Sequence, residues 1–201
     1  MSYAAPIEIV QAALALLGGE VITSLEDGSV PSTIIKTNYE SIVSRRLAAH
    51  TYTFASYPVI LVYQGERDAG ALRHAYMLPN ESIKVHWVGK QDARLAEWAI
   101  NNGKILTRIK DDYEALISYR APESDWSPEF TDAMIQEVYA LFVGSMRRDY
   151  EAARLIRKDA ELLFRAALAS DKRQHSSPPA MSAGKLVEAY SGGRISRTYG
   201  G

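Results

Sequence analysis

Cysteine is missing from all 201 residues of this chain. Its absence excludes disulfide scaffolds, thiolate zinc sites and cysteine nucleophiles, and it suits a reducing cytosol. An excess of charge is missing too. The formal net charge of −1 gives the whole chain no electrostatic bias toward nucleic acid or an anionic membrane. No apolar run approaches the roughly 20 residues that span a bilayer. Val10 to Leu17 is short and Ala-rich, with no basic stretch before it, so no signal peptide is expected. The histidines, His50, His74, His86 and His175, match no metal-ligand spacing. There is no HExxH, GxSxG or GxGxxG pattern, and the glycines near the end read as flexible chain. What is present is ordinary. A composition 47% hydrophobic and 23% charged can build a real core, in one large domain or two small ones. The expectation is a soluble, cytoplasmically made protein with no cofactor, no metal and no membrane anchor.

Residues 12–54 are the most informative stretch. Pro6 suits the first turn of a helix, where its missing N–H costs nothing. Ile9, Val10, Ala13, Leu14 and Leu17 then recur at helical spacing, and Gly18-Gly19 stops the run. Ser29 or Ser32 can cap a second helix with Pro31 near its start. Its apolar positions are Ile34 or Ile35, Tyr39, Ile42, Val43 and Leu47, and it ends near Ala49.

From Tyr52 to Arg120 the apolar runs shorten and become β-branched and aromatic. The strand candidates are Val59–Tyr63, His74–Leu78, Ile83–Val88, Ala96–Ile100, Lys104–Arg108 and Tyr113–Tyr119. Asn101-Asn102-Gly103 is the strongest hairpin signal, because a primed turn needs positive φ angles. About five or six short strands are expected, in a compact β-module.

Helical periodicity then returns. Ser127-Pro128-Glu129 combines a cap, a first-position proline and an acid at the positive dipole end. The stripe of the third helix reads Phe130, Ala133, Met134, Val138, Leu141, Phe142 and Met146. Asp149 can cap a fourth, with a stripe of Ala152, Leu155, Ile156, Ala160, Leu163 and Ala167 and an end near Asp171. From Lys172 onward the periodicity disappears, and HSSPPAMSAG reads as a linker.

The fold class expected is α+β: a four-helix bundle, two helices N-terminal and two C-terminal, with an inserted small antiparallel β-module and an extended C-terminal tail. The bundle domain takes residues 1–54 and 122–173, the β-domain 55–121 and the tail 174–201.

Several groups invite a chemical reading. Glu8, Glu20, Glu26, Asp27 and Glu40 supply carboxylates that a glycosidase-type pair would need, although solvated helix faces supply them as readily. Asp111-Asp112 is a polar turn short of a calcium loop. Arg45-Arg46 and Arg147-Arg148 lie late in helices, where cations suit the negative dipole end. Arg194, Ile195, Arg197 and Tyr199 sit in a tail with no core of its own. They fit a segment that folds on binding, and equally a dispensable end.

The opening block, Tyr76-Met77-Leu78-Pro79, the helix entry Trp126-Ser127-Pro128-Glu129-Phe130 and the terminal Gly-Arg-Ile-Ser-Arg occur in an order that resembles bacteriophage tail tubular protein A chains, the head-to-tail adaptors. The resemblance spans most of the chain. It implies a structural virion protein of the tail neck, assembled in the host cytoplasm, and not an enzyme. It implies a twelvefold ring of copies between the portal protein and the tail nozzle (tail tubular protein B), with tail fibres as further neighbours. Genomic DNA would pass through the ring without specific binding. The partner-binding arm would be Lys185, Leu186, Tyr190, Arg194, Ile195, Arg197 and Tyr199, docking on the portal. The alternatives are a virion-associated peptidoglycan hydrolase and a binding module unrelated to phage.

Overall fold

Local signals set the helix starts and the end of the first helix in the computed structural model, which describes residues 6–19, 22–67, 70–90 and 93–174. α1 (Pro6–Leu17) buries Ile9, Val10, Ala13, Leu14 and Leu17, and it stops at Gly18, whose φ of 71° is cheap only without a Cβ. α2 (Val30–Ala49) starts on Ser29, whose side chain accepts the Ser32 N–H. α3 (Pro128–Met146) starts the same way on Ser127, which accepts the Phe130 N–H. α4 (Tyr150–Gln174) follows Asp149, whose carboxylate accepts the Ala152 N–H at 2.9 Å. It runs past the expected end at Asp171.

Among the described residues, eight strands lie between α2 and α3: β1 (Ser56–Ile60), β2 (Val62–Glu66), β3 (His74–Met77), β4 (Ser82–Lys90), β5 (Ala93–Arg94), β6 (Trp98–Asn101), β7 (Lys104–Thr107) and β8 (Glu114–Tyr119). They form two antiparallel four-stranded sheets, ordered β1-β8-β4-β5 (sheet A) and β2-β3-β7-β6 (sheet B). The β6–β7 hairpin turns at Asn102 and Gly103, with φ of 50° and 68°, as a primed turn requires.

The expected four-helix bundle with a small β-module is therefore corrected. Four helices accompany two full sheets, and the helices do not close into a bundle of their own. α3 packs against α1 and α4, while α2 shares its contacts between α3 and strands β4 and β8. Sheet A thus takes the place where a bundle would bring α2 fully onto its neighbours. The strand count was underestimated for two reasons. The single run Val59–Tyr63 breaks at Leu61, which is buried and donates its N–H to the Tyr113 carbonyl at 2.8 Å; β1 stays in sheet A and β2 crosses to sheet B. β5 has two residues, too few to show alternation.

Sheet A separates two apolar cores. On one face Val85, Val88, Ala115 and Ile117 meet Tyr76 and Ile105 of sheet B. At the end of the sheet, Ile83 and Tyr119 pack against the helical core. The helical core centres on Phe130, whose ring lies 4.9–5.3 Å from those of Tyr52, Phe54, Trp126 and Phe164. Edge-to-face pairs of this kind add about 0.5–1.5 kcal/mol each beyond the area they bury.

The buried stripe of α4 is also corrected. Ala153, Ala160, Phe164 and Ala167 face the core, whereas Leu155 is 55% and Leu163 37% exposed. In α3, Met146 is exposed as well. The small alanines let α4 approach α3 closely: the Gly144 position lies 3.4 Å from the Ala153 Cβ for any added methyl. Leucines at these positions would hold the two helices apart.

Candidate interaction site

Lys185, Leu186, Tyr190, Arg194, Ile195, Arg197 and Tyr199 lie outside the described residues, and so does His175. What the structure does place is the root from which that segment departs. In the last turns of α4, the Asp171 carboxylate accepts the Thr53 N–H at 3.0 Å and the Thr53 hydroxyl. Beside this bond a cleft of about 520 Å³ opens between the helices and sheet A, lined by Thr51, Tyr52, Ser56, Leu116 and Lys172. The last turns of α4 are thus fixed to the short helical turn Thr53–Ala55 that leads into β1.

Two ionic clamps tie elements that are distant in sequence. In the first, the Arg120 guanidinium at the end of β8 donates to both Glu40 oxygens, at 2.9 and 3.0 Å, and to Glu123 at 2.6 Å. Burial works against the Arg120 charge, but these hydrogen bonds outweigh it and raise its pKa above the usual arginine value. Hydrogen bonding from Arg120 holds the Glu40 carboxyl below the usual range. Tyr39 donates to Glu123 at 3.0 Å; burial, then the Glu123 charge, pushes the phenol well up. In the second clamp, Arg46 donates to Glu137 of α3 at 2.6 Å and Glu161 of α4 at 2.7 Å, and it lies 4.5 Å from the Phe164 ring centre. Arg45 adds a more exposed bond to Glu137 at 3.2 Å.

Arg45, Arg46 and Arg147 therefore act outside their own helices. Arg147, expected to serve its own helix end, donates instead to the Leu17 carbonyl at the end of α1. Arg148 takes φ 56° in the turn between α3 and α4.

A third network lies where sheet A meets the α2 exit. His86 Nε2 and Ser118 Oγ are 2.7 Å apart, and Ser118 Oγ lies 3.1 Å from Ser56 Oγ. Lys84 donates to the Ala48 carbonyl at 2.9 Å. A Ser–His contact of this length has the form of a nucleophile and its base. Ser118, however, is fully buried within the sheet, so no substrate carbonyl can reach its hydroxyl. Burial, then Lys84 and His50, lowers the His86 pKa below the usual histidine value.

Three of the carboxylates considered for hydrolysis, Glu26, Asp27 and Glu40, are engaged otherwise. Glu26 pairs with Lys36 at 2.5 Å, Asp27 accepts the Ser29 N–H at 2.9 Å, Glu40 holds Arg120, and Glu20 lies outside the described residues. A general acid needs a raised pKa; the shifts at Asp27 and Glu40 go the other way. Among the described residues no three His, Cys, Asp or Glu side chains converge to hold a metal ion. Asp111 pairs with Lys90 at 2.5 Å, as a polar turn would.

Sequence reasoning missed Arg120, Glu123, Glu137 and Asp171. Each is an unremarkable charge in the sequence, and its partner lies on another element. The one available signal was polar residues at core-facing positions. Glu137 directly precedes Val138 in the apolar stripe of α3, and buried charges are rarely left unpaired. No family model and no curated protein matches this chain.

Proposed function

We propose that this chain is a structural adaptor of a tailed bacteriophage, forming a ring beneath the portal and linking capsid to tail around the DNA conduit. The observation that carries the reading is the ordered set of motifs along the chain, from the N-terminal helix pair to the terminal Gly-Arg-Ile-Ser-Arg. The structure supports it in kind. Polar side chains inside the described part cross-link elements distant in sequence, which suits a part that transmits load. Net charge near zero suits a conduit, since a strongly basic bore would retain the genome. The arm from Lys185 to Tyr199 orders on its partner, with Arg and Tyr as anchors.

The test is mixing with portal rings, viewed by electron microscopy. The full chain, a monomer or loose oligomer alone, is expected to form rings on the portal. The chain lacking residues 185–201 is expected to keep its circular dichroism spectrum and lose portal binding. Normal assembly of the truncated chain would overturn the role of the arm. Failure of the full chain to bind any portal would overturn the adaptor reading.

A further inference from the structure

Sheet A leaves apolar side chains outside both cores. Ala115 and Ile117 of β8 point into the core shared with sheet B, so Leu116 between them points the other way. The register places Pro58 of β1 and Trp87 of β4 on either side of Leu116, in one row across three strands. None of the three belongs to either apolar core. Pro58 is exposed, and Leu116 and Trp87 are only half-buried. Leu116 also lines the cleft beside Thr51, Tyr52 and Lys172, so the row and the cleft are continuous. The cleft volume, about 520 Å³, lies in the range of pockets that enclose a ligand. Of the two charges in the cleft, Asp171 is engaged by Thr53, and Lys172 has no partner among the described residues.

The described part of the chain ends at Gln174, two residues past Lys172. Residues 175–201 follow. Within them, Leu186-Val187-Glu188-Ala189-Tyr190 sets Leu, Val and Tyr around the only acidic residue after Asp171.

We propose that the cleft and the row beyond it are a binding site for the chain's own segment Leu186–Tyr190. The segment matches the site in kind. It offers apolar side chains to Leu116 and Trp87, and a carboxylate to Lys172. It matches in reach as well. The chain from Gln174 to Leu186 can span up to about 40 Å, ample for a return to a cleft at its own root. Tethering decides between this occupant and a second copy. A short linker holds its ligand at about millimolar effective concentration, so a contact with a dissociation constant of about 0.1 mM is closed about nine-tenths of the time. A second copy at about micromolar concentration would fill the same site about one-hundredth of the time. The arm assigned to the portal includes these residues, so occupation of the cleft and of a partner exclude each other. The contact itself is tested without any portal. Its failure leaves the adaptor reading intact, and the reverse holds too.

The first measurement is trypsin cleavage after Lys185 in the full chain at about micromolar concentration. Cleavage is expected to be about tenfold faster in Leu116→Glu, which removes an apolar wall of the cleft and repels Glu188. Circular dichroism checks that the variant folds. Equal rates in the two chains would overturn the inference. The second measurement leaves Leu116 unaltered and decides alone if that variant does not fold. The chain has no cysteine, so two introduced cysteines can pair only with each other. Thr51→Cys with Ala189→Cys is expected to form a disulfide within one chain under mild oxidation, read by mass spectrometry. Gln64→Cys on sheet B, combined with Ala189→Cys, is expected to stay reduced. Equal disulfide formation at both positions would overturn the inference. So would disulfides at position 51 that join two chains, which would assign the cleft to a second copy.

Discussion

Arg46 of α2 and Glu137 of α3, 91 positions apart in sequence, meet at 2.6 Å with the carboxylate side chain only 3% exposed. Neither α1 nor the sheets contribute to this contact. It ties the N-terminal helices to the C-terminal ones directly, and Glu161 brings in α4 through the same guanidinium. Removing the cation leaves Glu137 buried with only the exposed Arg45 beside it.

Arg46→Met should therefore destabilise the protein by about 3 kcal/mol, the usual cost of stranding a buried charge. Replacing both partners, Arg46→Met with Glu137→Met, should recover most of that loss. Urea unfolding of the two variants measures both. A double variant no more stable than the single one would show that packing, and not the stranded charge, sets the cost.

Arg120→Lys keeps the charge and loses the two-pronged grip on Glu40. Lysine cannot span both oxygens while also reaching Glu123. A loss of about 1–2 kcal/mol is expected, from charge-assisted bonds of this kind. Trp126, with the Arg120 guanidinium 5.6 Å from its ring centre, reports on the site through its fluorescence. Unchanged stability and an unchanged spectrum would mean that the clamp does not hold the layers.

His86 makes stability depend on pH. Its folded-state pKa lies below the ordinary value of 6.5, so the unfolded chain binds the proton more tightly. The contribution is complete above that value and is lost as pH falls from 6.5 through the lower folded pKa. Lys84 and His50 face the ring and oppose its charge, while Ser118 offers a hydrogen bond. Denaturant midpoints should fall between about pH 7 and pH 5, and His86→Gln should flatten that part of the profile. The same slope in the variant would assign the effect elsewhere.

Gly89→Ala should unpair β5 from β4. A Cβ at this position would lie 2.7 Å from the Arg94 Cα and closer still to the Ala93 carbonyl, and backbone cannot step aside as a side chain can. A cost of about 1–3 kcal/mol is expected, with faster amide exchange at Leu95, whose N–H donates to the Val88 carbonyl. Retained protection there would show that the hairpin can shift to take the methyl.

Much of the architecture was legible wherever the cause is local. Ser29, Ser127 and Asp149 cap helices because a short polar side chain reaches the free N–H groups two or three residues on. Asn102-Gly103 makes its turn because of its own backbone preferences. The buried stripe of α1 agrees with its spacing at every position. The stripe of α4 does not. Its leucines offered two overlapping faces, and only the close approach to α3 selected the alanine side. The candidate arm from Lys185 to Tyr199 lies outside the described residues, so its reading still rests on composition and resemblance.

The sequence by itself determined where the helices start, where the first one stops, which hairpin turns on Asn-Gly, and which chemistries the lack of cysteine excludes. Those follow from interactions within a few residues. Tertiary structure alone decided that Val59–Tyr63 divides between two sheets, that α2 leans on sheet A, and that Arg46 finds Glu137 and Arg120 finds Glu40. A strand's pairing and a buried charge's partner are set by groups tens of residues away. Burial requires that a partner exist, and only the folded arrangement says which one it is.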